Sequence, residues 1–152
     1  MRFLLASLLS AAALSPATQP PKPAQADSIL IRLPKSKAAA LDLVLLAFSS
    51  AGLTVTNQSG SMVESDQGTS DDALFGMRYA RVVRALVMGN DSTSTILISG
   101  QESSTEKKSG KDFGRQAISN RSRGSAQKVW RKMIIAGAAL DPEQLPGGVI
   151  KP

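Results

Sequence analysis

The densest chemistry in this chain is cationic. Between Lys107 and Lys132 stand Lys107, Lys108, Lys111, Arg115, Arg121, Arg123, Lys128, Arg131 and Lys132, opposed by Asp112 alone, for a local charge of +8. Ammonium and guanidinium groups at this density suit phosphate or carboxylate. The last four flank a predicted helix start, where free N–H groups and the helix dipole also favour an anion. The accessible anions outside the cytoplasm, where the N-terminal segment would send the chain, are lipid headgroups and phosphorylated or carboxylated envelope polymers. Nucleic acid is disfavoured, because only Phe113 and Trp130 could stack on bases and Trp130 belongs to the expected core. The competing reading of such a run is a solvated, flexible loop.

A second set of residues could act by nucleophilic attack. Ser125-Ala126-Gln127-Lys128 has the S-x-x-K form, and Lys108-Ser109-Gly110 has the K-[ST]-G form. In this chemistry a lysine polarises a serine that is then acylated. The pair resembles motifs of the penicillin-binding enzymes, but only in part. The K-S-G element precedes S-x-x-K, it falls in a polar stretch, no S-D-N is present, and 152 residues are too few for that fold. Ser125 reads better as a helix N-cap. Glu64, Asp66, Asp71 and Asp72 cluster in sequence without the D-x-[DN]-x-[DN]-G spacing of a calcium loop, so they read as solvated acids. With no histidine and no cysteine, the usual zinc and copper ligands and the commonest general base are missing, and Ser-His-Asp and Cys-His catalysis are excluded. No cofactor motif is present.

The elements that must carry these residues begin after an export signal. Met1-Arg2 is followed by an apolar run from Phe3 to Leu14, shorter than the ~20 residues a membrane span needs, with small residues behind it. Cleavage is expected after Ala26 or Ala17. A proline-rich leader, Thr18 to Pro23, separates the signal from the folded part. Residues 1–26 are thus signal and leader, 27–140 a single domain, and 141–152 a flexible tail ending a chain with no other membrane-spanning stretch. The expected location is the bacterial periplasm or the medium. The formal charge of +6 is uneven. Residues 27–100 carry −1 and residues 101–152 carry +5.

Periodicity gives the architecture. Ser28 to Leu33 reads as a strand stopped by Pro34. Lys35 to Ala51 reads as a helix with Ala38, Leu41, Leu45 and Phe48 on its buried face, Leu46 beside them, and Gly52 as its stop. Leu53 to Thr56 starts a second strand, with a turn or bulge near Asn57–Gly60 and a continuation to Glu64. Ser65 to Asp72 reads as a loop. Arg78 to Met88 and Thr93 to Ser99 form a hairpin about Gly89-Asn90-Asp91-Ser92. Ser70-Asp71-Asp72 could instead cap a helix over 73–88, but Val82-Val83, Gly76 and the turn that follows favour the strand. Tyr79, Arg81, Val83, Ala85 and Val87 are expected to line the uncovered sheet face, with Thr95 and Leu97, as a possible docking surface. Gln101 to Arg123 reads as a long mobile connection. Ser125 to Leu140 reads as a second helix with Val129, Trp130, Met133, Ile134, Gly137 and Leu140 inward. The expected fold is α+β, a small antiparallel sheet with two helices on one face, in the order β-α-β-β-β-α. The expected function is non-catalytic binding or assembly in the cell envelope, with an envelope protein or an anionic surface as partner. A hydrolase using Ser/Lys or carboxylates is the least favoured alternative.

Overall fold

A computed structural model describes residues 26–141. The export segment up to residue 25, the expected cleavage point after Ala17 and the C-terminal tail after Asp141 lie outside the described residues, whereas Ala26, the other expected cleavage point, is described and is hydrogen-bonded through its backbone to Asn120. The elements run β1 (Ser28–Leu33), α1 (Lys37–Ser50), β2 (Val55–Ser59), β3 (Met62–Asp72), β4 (Met77–Gly89), β5 (Ser94–Glu106), β6 (Asp112–Ile118) and α2 (Gly124–Leu140). All strand pairs are antiparallel, in the order β1-β5-β4-β3-β2. Strand β6 also pairs with β5. It takes the half from Gly100 to Thr105, whereas β1 takes Ser94 to Ser99, so β1 and β6 follow each other along one edge. The α+β class holds, with six strands and two helices.

Alternation builds the inner layer. Ile29, Ile31 and Leu33 on β1, Val83, Ala85 and Val87 on β4, and Ile96 and Ile98 on β5 are all buried toward the helices. Helices α1 and α2 lie side by side on that face. Phe48, Val44 and Ala40 from α1 and Trp130, Met133 and Val129 from α2 complete the core. Each large side chain withdrawn here contributes about 1.5–3 kcal/mol. Ser36 begins α1 by accepting the Ala39 N–H at 3.3 Å. Close approach of α2 to β5 depends on Gly100, where a Cβ would lie 2.9 Å from Met133 Sδ and 3.1 Å from Ile118 Cβ. In the β4–β5 turn, Gly89 has φ 149° and a Cβ there would meet the Thr93 carbonyl at 2.3 Å. The Asn90 side chain accepts the N–H groups of Ser92 and Thr93, both at 2.9 Å.

Four expectations are corrected. Ser65 to Asp72 is the second half of β3, not a loop. Gln101 to Arg123 is not a mobile connection, since it holds the end of β5, all of β6 and a short ordered link. Both stretches lack apolar alternation because no helix covers them, and pairing with β4 and β5 keeps them extended. The most buried stripe of α1 is Ala40, Val44, Ala47 and Phe48; of the expected face Phe48 is buried and Leu41 and Leu45 pack partly buried against the core, whereas Ala38 and Leu46 are exposed. Finally, the row Arg81, Val83, Ala85, Val87 faces the helices, and the uncovered side carries Val82, Arg84, Leu86 and Met88. There, Leu30, Leu97, Leu86 and Met62 stand in register across four strands. Among the described residues no helix is long and apolar enough to cross a membrane.

Candidate binding groove

Strands β4 and β5 have 13 residues each, about 43 Å at ~3.3 Å per residue. Helix α2, with 17 residues, is about 26 Å long at ~1.5 Å per residue. The helices therefore leave one end of the inner face uncovered. That end forms a groove of ≈ 870 Å³ between the sheet, the β6–α2 link and the first turn of α2.

Its floor continues the inner rows of β4 and β5 with polar residues in place of Val and Ile. Arg81 follows Val83 in the β4 row, and Glu102 follows Gly100 in the β5 row. The two are direct cross-strand partners, and their side chains are only 6% and 9% exposed. Arg81 Nε donates to Glu102 Oε2 at 2.5 Å, and its guanidinium also donates to Ser70 Oγ at 2.8 Å. Gln116 Nε2 donates to the other Glu102 oxygen at 3.0 Å. The Tyr79 ring centroid lies 5.7 Å from Arg81 Cζ. One hydrogen-bonded row thus crosses β3, β4, β5 and β6. Two charges so shielded from water are tolerable only because each is paired and further hydrogen-bonded.

The wall is the β6–α2 link. Ser119 N–H donates to Ser122 Oγ at 2.9 Å, Arg121 N–H donates to Ser119 Oγ at 3.3 Å, and Asn120 N–H donates to the Ala26 carbonyl at 2.9 Å. Arg123 is the N-cap of α2 and its side chain makes no capping bond. Ser125, expected to cap the helix, sits inside its first turn. Arg121, Arg123, Gly124, Ser125 and Ala126 all line the groove, so two arginines and the positive end of a helix dipole border it. At the far end Asp71 binds Arg78 and Lys107, each at 3.0 Å. Arg78 first, then Lys107, holds the Asp71 carboxyl down to about 2, and Asp71 in turn raises Arg78.

The structure scatters the nine predicted anion-binding residues. Only Arg121 and Arg123 line the groove. Lys107 and Lys108 lie in the β5–β6 turn, Lys107 against Asp71. Lys111 Nζ stands 5.3 Å from the Phe113 ring centroid. Arg115 belongs to the outer face, beside Val82, Gln101 and Ser103. Lys128 and Arg131 are exposed on α2. Lys132 donates to the Gly52 carbonyl at 2.8 Å and to Gln67 Oε1 at 2.9 Å, tying α2 to the end of α1 and to β3.

The nucleophile motifs are not assembled either. Ser125 lines the groove, but neither Lys128 nor Lys108 does. Ser109 donates its hydroxyl to Glu106. Of the suspected calcium ligands, Glu64 pairs with Arg84 at 2.5 Å, Asp66 accepts the Gly68 N–H at 2.7 Å, and Asp72 accepts the Leu74 N–H at 2.9 Å. Among the described residues no three Asp or Glu side chains could hold a metal ion.

Sequence reasoning missed Arg81, Glu102, Gln116, Ser70 and Tyr79 as one constellation. The signal was present for two of them. Extending the inner rows by two residues, from Val83 to Arg81 and from Gly100 to Glu102, puts opposite charges on one buried face of adjacent strands. The chain matches no known protein family, and no curated protein matches it significantly.

Proposed function

We propose that this protein is an exported, non-catalytic binding module of the cell envelope whose groove holds an anionic polymer segment bearing phosphate or carboxylate groups. The observation that carries this reading is that Arg121, Arg123 and the first turn of α2 line one groove above a hydrogen-bonded polar floor. Guanidinium groups and backbone N–H groups are the donors that oxyanions take up best. Arg81, buried and held by Glu102 and Ser70, shapes the floor. Ser70, Tyr79 and Gln116 supply hydroxyl and amide groups suited to the hydroxyls of a polyol or sugar backbone.

Titration of the protein with polyglycerol phosphate, polygalacturonate and neutral dextran tests this. The two anionic polymers are expected to bind more weakly as salt rises, and dextran is expected not to bind. Arg121→Glu with Arg123→Glu should reduce anion binding by more than about tenfold, given the cost of reversing paired charges. Lys128→Glu with Arg131→Glu changes net charge equally, away from the groove, and should have a much smaller effect. Equal losses in the two pairs would mean diffuse charge attraction and would end the groove reading.

A further inference from the structure

The β3–β4 hairpin ends in Ala73-Leu74-Phe75-Gly76, and its two large apolar side chains are the most exposed large hydrophobics among the described residues, Leu74 at 90% and Phe75 at 75%. They are adjacent in the turn, and the described chain leaves both uncovered. The apex backbone is also prepared in a particular way. The Asp72 carboxylate accepts the N–H of Leu74 at 2.9 Å and that of Phe75 at 3.3 Å. Both donors are therefore satisfied within the turn. A turn dipping into hydrocarbon needs this, because lipid chains offer backbone groups no partner.

The β5–β6 turn is fixed beside this apex, since the Lys107 N–H donates to the Gly76 carbonyl at 2.9 Å. It brings Lys108 and Lys111, which form no ion pair among the described residues, and Phe113, which is 55% exposed. Lysine stems can lie along an apolar surface while their ammonium groups reach headgroup phosphates. The acids at this end are engaged locally, Asp71 by Arg78 and Lys107, Asp72 by the apex, Glu106 by Ser109 and Asp112 by the Gly114 N–H. Four cations and four acids leave the end close to neutral, so apolar insertion leads and charge assists.

We infer that the paired hairpin tips are a membrane-docking point, inserting Leu74 and Phe75 into the outer layer of an anionic bilayer while Lys108 and Lys111 meet its phosphates. This goes beyond the anion-polymer reading and does not depend on it. A soluble protein partner would need a pocket matched to the apex, whereas a bilayer accommodates the apex as it stands. Two side chains make a small anchor, so binding is reversible. Because Asp72, Ala73 and Leu74 also line the groove, docking sets the open end of the groove at the lipid surface.

The test uses the full chain and its variants, prepared identically, with vesicles of phosphatidylcholine plus phosphatidylglycerol. Phe75→Trp places a fluorophore at the apex, over the constant signal of buried Trp130. Its emission should shift to the blue on adding vesicles and be quenched by lipids brominated on the acyl chains. Quenching reads the tip itself, whatever else of the chain touches the bilayer. In the wild-type background, Leu74→Asp with Phe75→Asp should lower vesicle partitioning more than about tenfold, since each apolar burial is worth at least about a factor of ten. Both side chains are exposed, so the melting temperature should not change. Lys108→Glu with Lys111→Glu should weaken partitioning severalfold, and more so on anionic than on pure phosphatidylcholine vesicles. An unquenched, unshifted Phe75→Trp signal on vesicles overturns the proposal. So does capture of the apex by a soluble protein while that signal stays unshifted.

Discussion

The two halves of the sheet are built from the same strands and obey different physics. In the half under the helices, β1, the end of β4 and the start of β5 present Ile29, Ile31, Val83, Val87, Ile96 and Ile98 to α1 and α2. In the other half, the same β4 and β5 carry Arg81 and Glu102 on the same face, and β3 and β6 contribute Ser70 and Gln116. The first half is held by apolar burial. The second is held by the backbone ladder and one polar row. The difference separates the part that makes the molecule stable from the part that leaves a groove and a projecting tip. A surface free to bind has to lack its own covering layer, so the candidate function collects where the helices stop.

Breaking the Arg81–Glu102 pair gives the largest expected effect on that comparison. Arg81→Ala leaves a buried carboxylate unpaired and should destabilise the fold by about 3–5 kcal/mol, as read from urea denaturation. The double change Arg81→Met with Glu102→Leu removes both charges and should recover most of that loss. Stability of the double variant near that of Arg81→Ala would show that the polar row is irreplaceable and that both halves depend on their own inner face for stability.

Acid should weaken the uncovered end through Asp71. Its folded value of about 2 lies below the ~3.9 of an unfolded aspartate, so its contribution is present above about pH 4 and is lost as pH falls toward 2. The difference in melting temperature between wild type and Asp71→Asn should therefore shrink over that interval. Asp71 is on the surface, so solvent screening keeps the effect small. A constant difference would mean that the ion pairs with Arg78 and Lys107 do not act on stability.

The smallest effect belongs to the covered half. Ser94 is buried, and its hydroxyl is the one buried side-chain polar atom without a hydrogen-bond partner among the described residues. Ser94→Ala removes an unsatisfied group and should leave stability unchanged or raise it by up to about 1 kcal/mol, by calorimetry. A loss of more than that would point to packing around the hydroxyl.

How far each half could be read follows from the same contrast. Helix α2 and its inward residues Val129, Trp130 and Met133 were legible because one face of a 3.6-residue period is apolar. Strand β1 and the β4–β5 turn were legible from branched residues, Pro34 and the Gly89-Asn90 pair. Helix α1 was found and Phe48, Leu41 and Leu45 were rightly turned to the core, but its most buried stripe was missed, because Leu41, Leu43, Leu45 and Leu46 make it apolar nearly all round. The face of β4 was assigned the wrong way because Arg81 and Arg84 lie on opposite sides, and the buried one looks, in sequence, like the exposed one. The basic run was visible as charge, but its spread over a turn, a strand, a link and a helix was not.

The sequence alone determined the α+β class, strand β1, the inward face of α2 and the lack of thiol and imidazole chemistry, because burial against a facing layer imposes a period on side chains and composition is independent of fold. The tertiary structure alone decided that residues 65–72 and 101–118 are largely strand, that Arg81 meets Glu102, and that only Arg121 and Arg123 of nine cations reach the groove. Where neither face of a strand is covered, it is specified by backbone hydrogen bonds to its neighbour, and those bonds leave no period in the side chains to read.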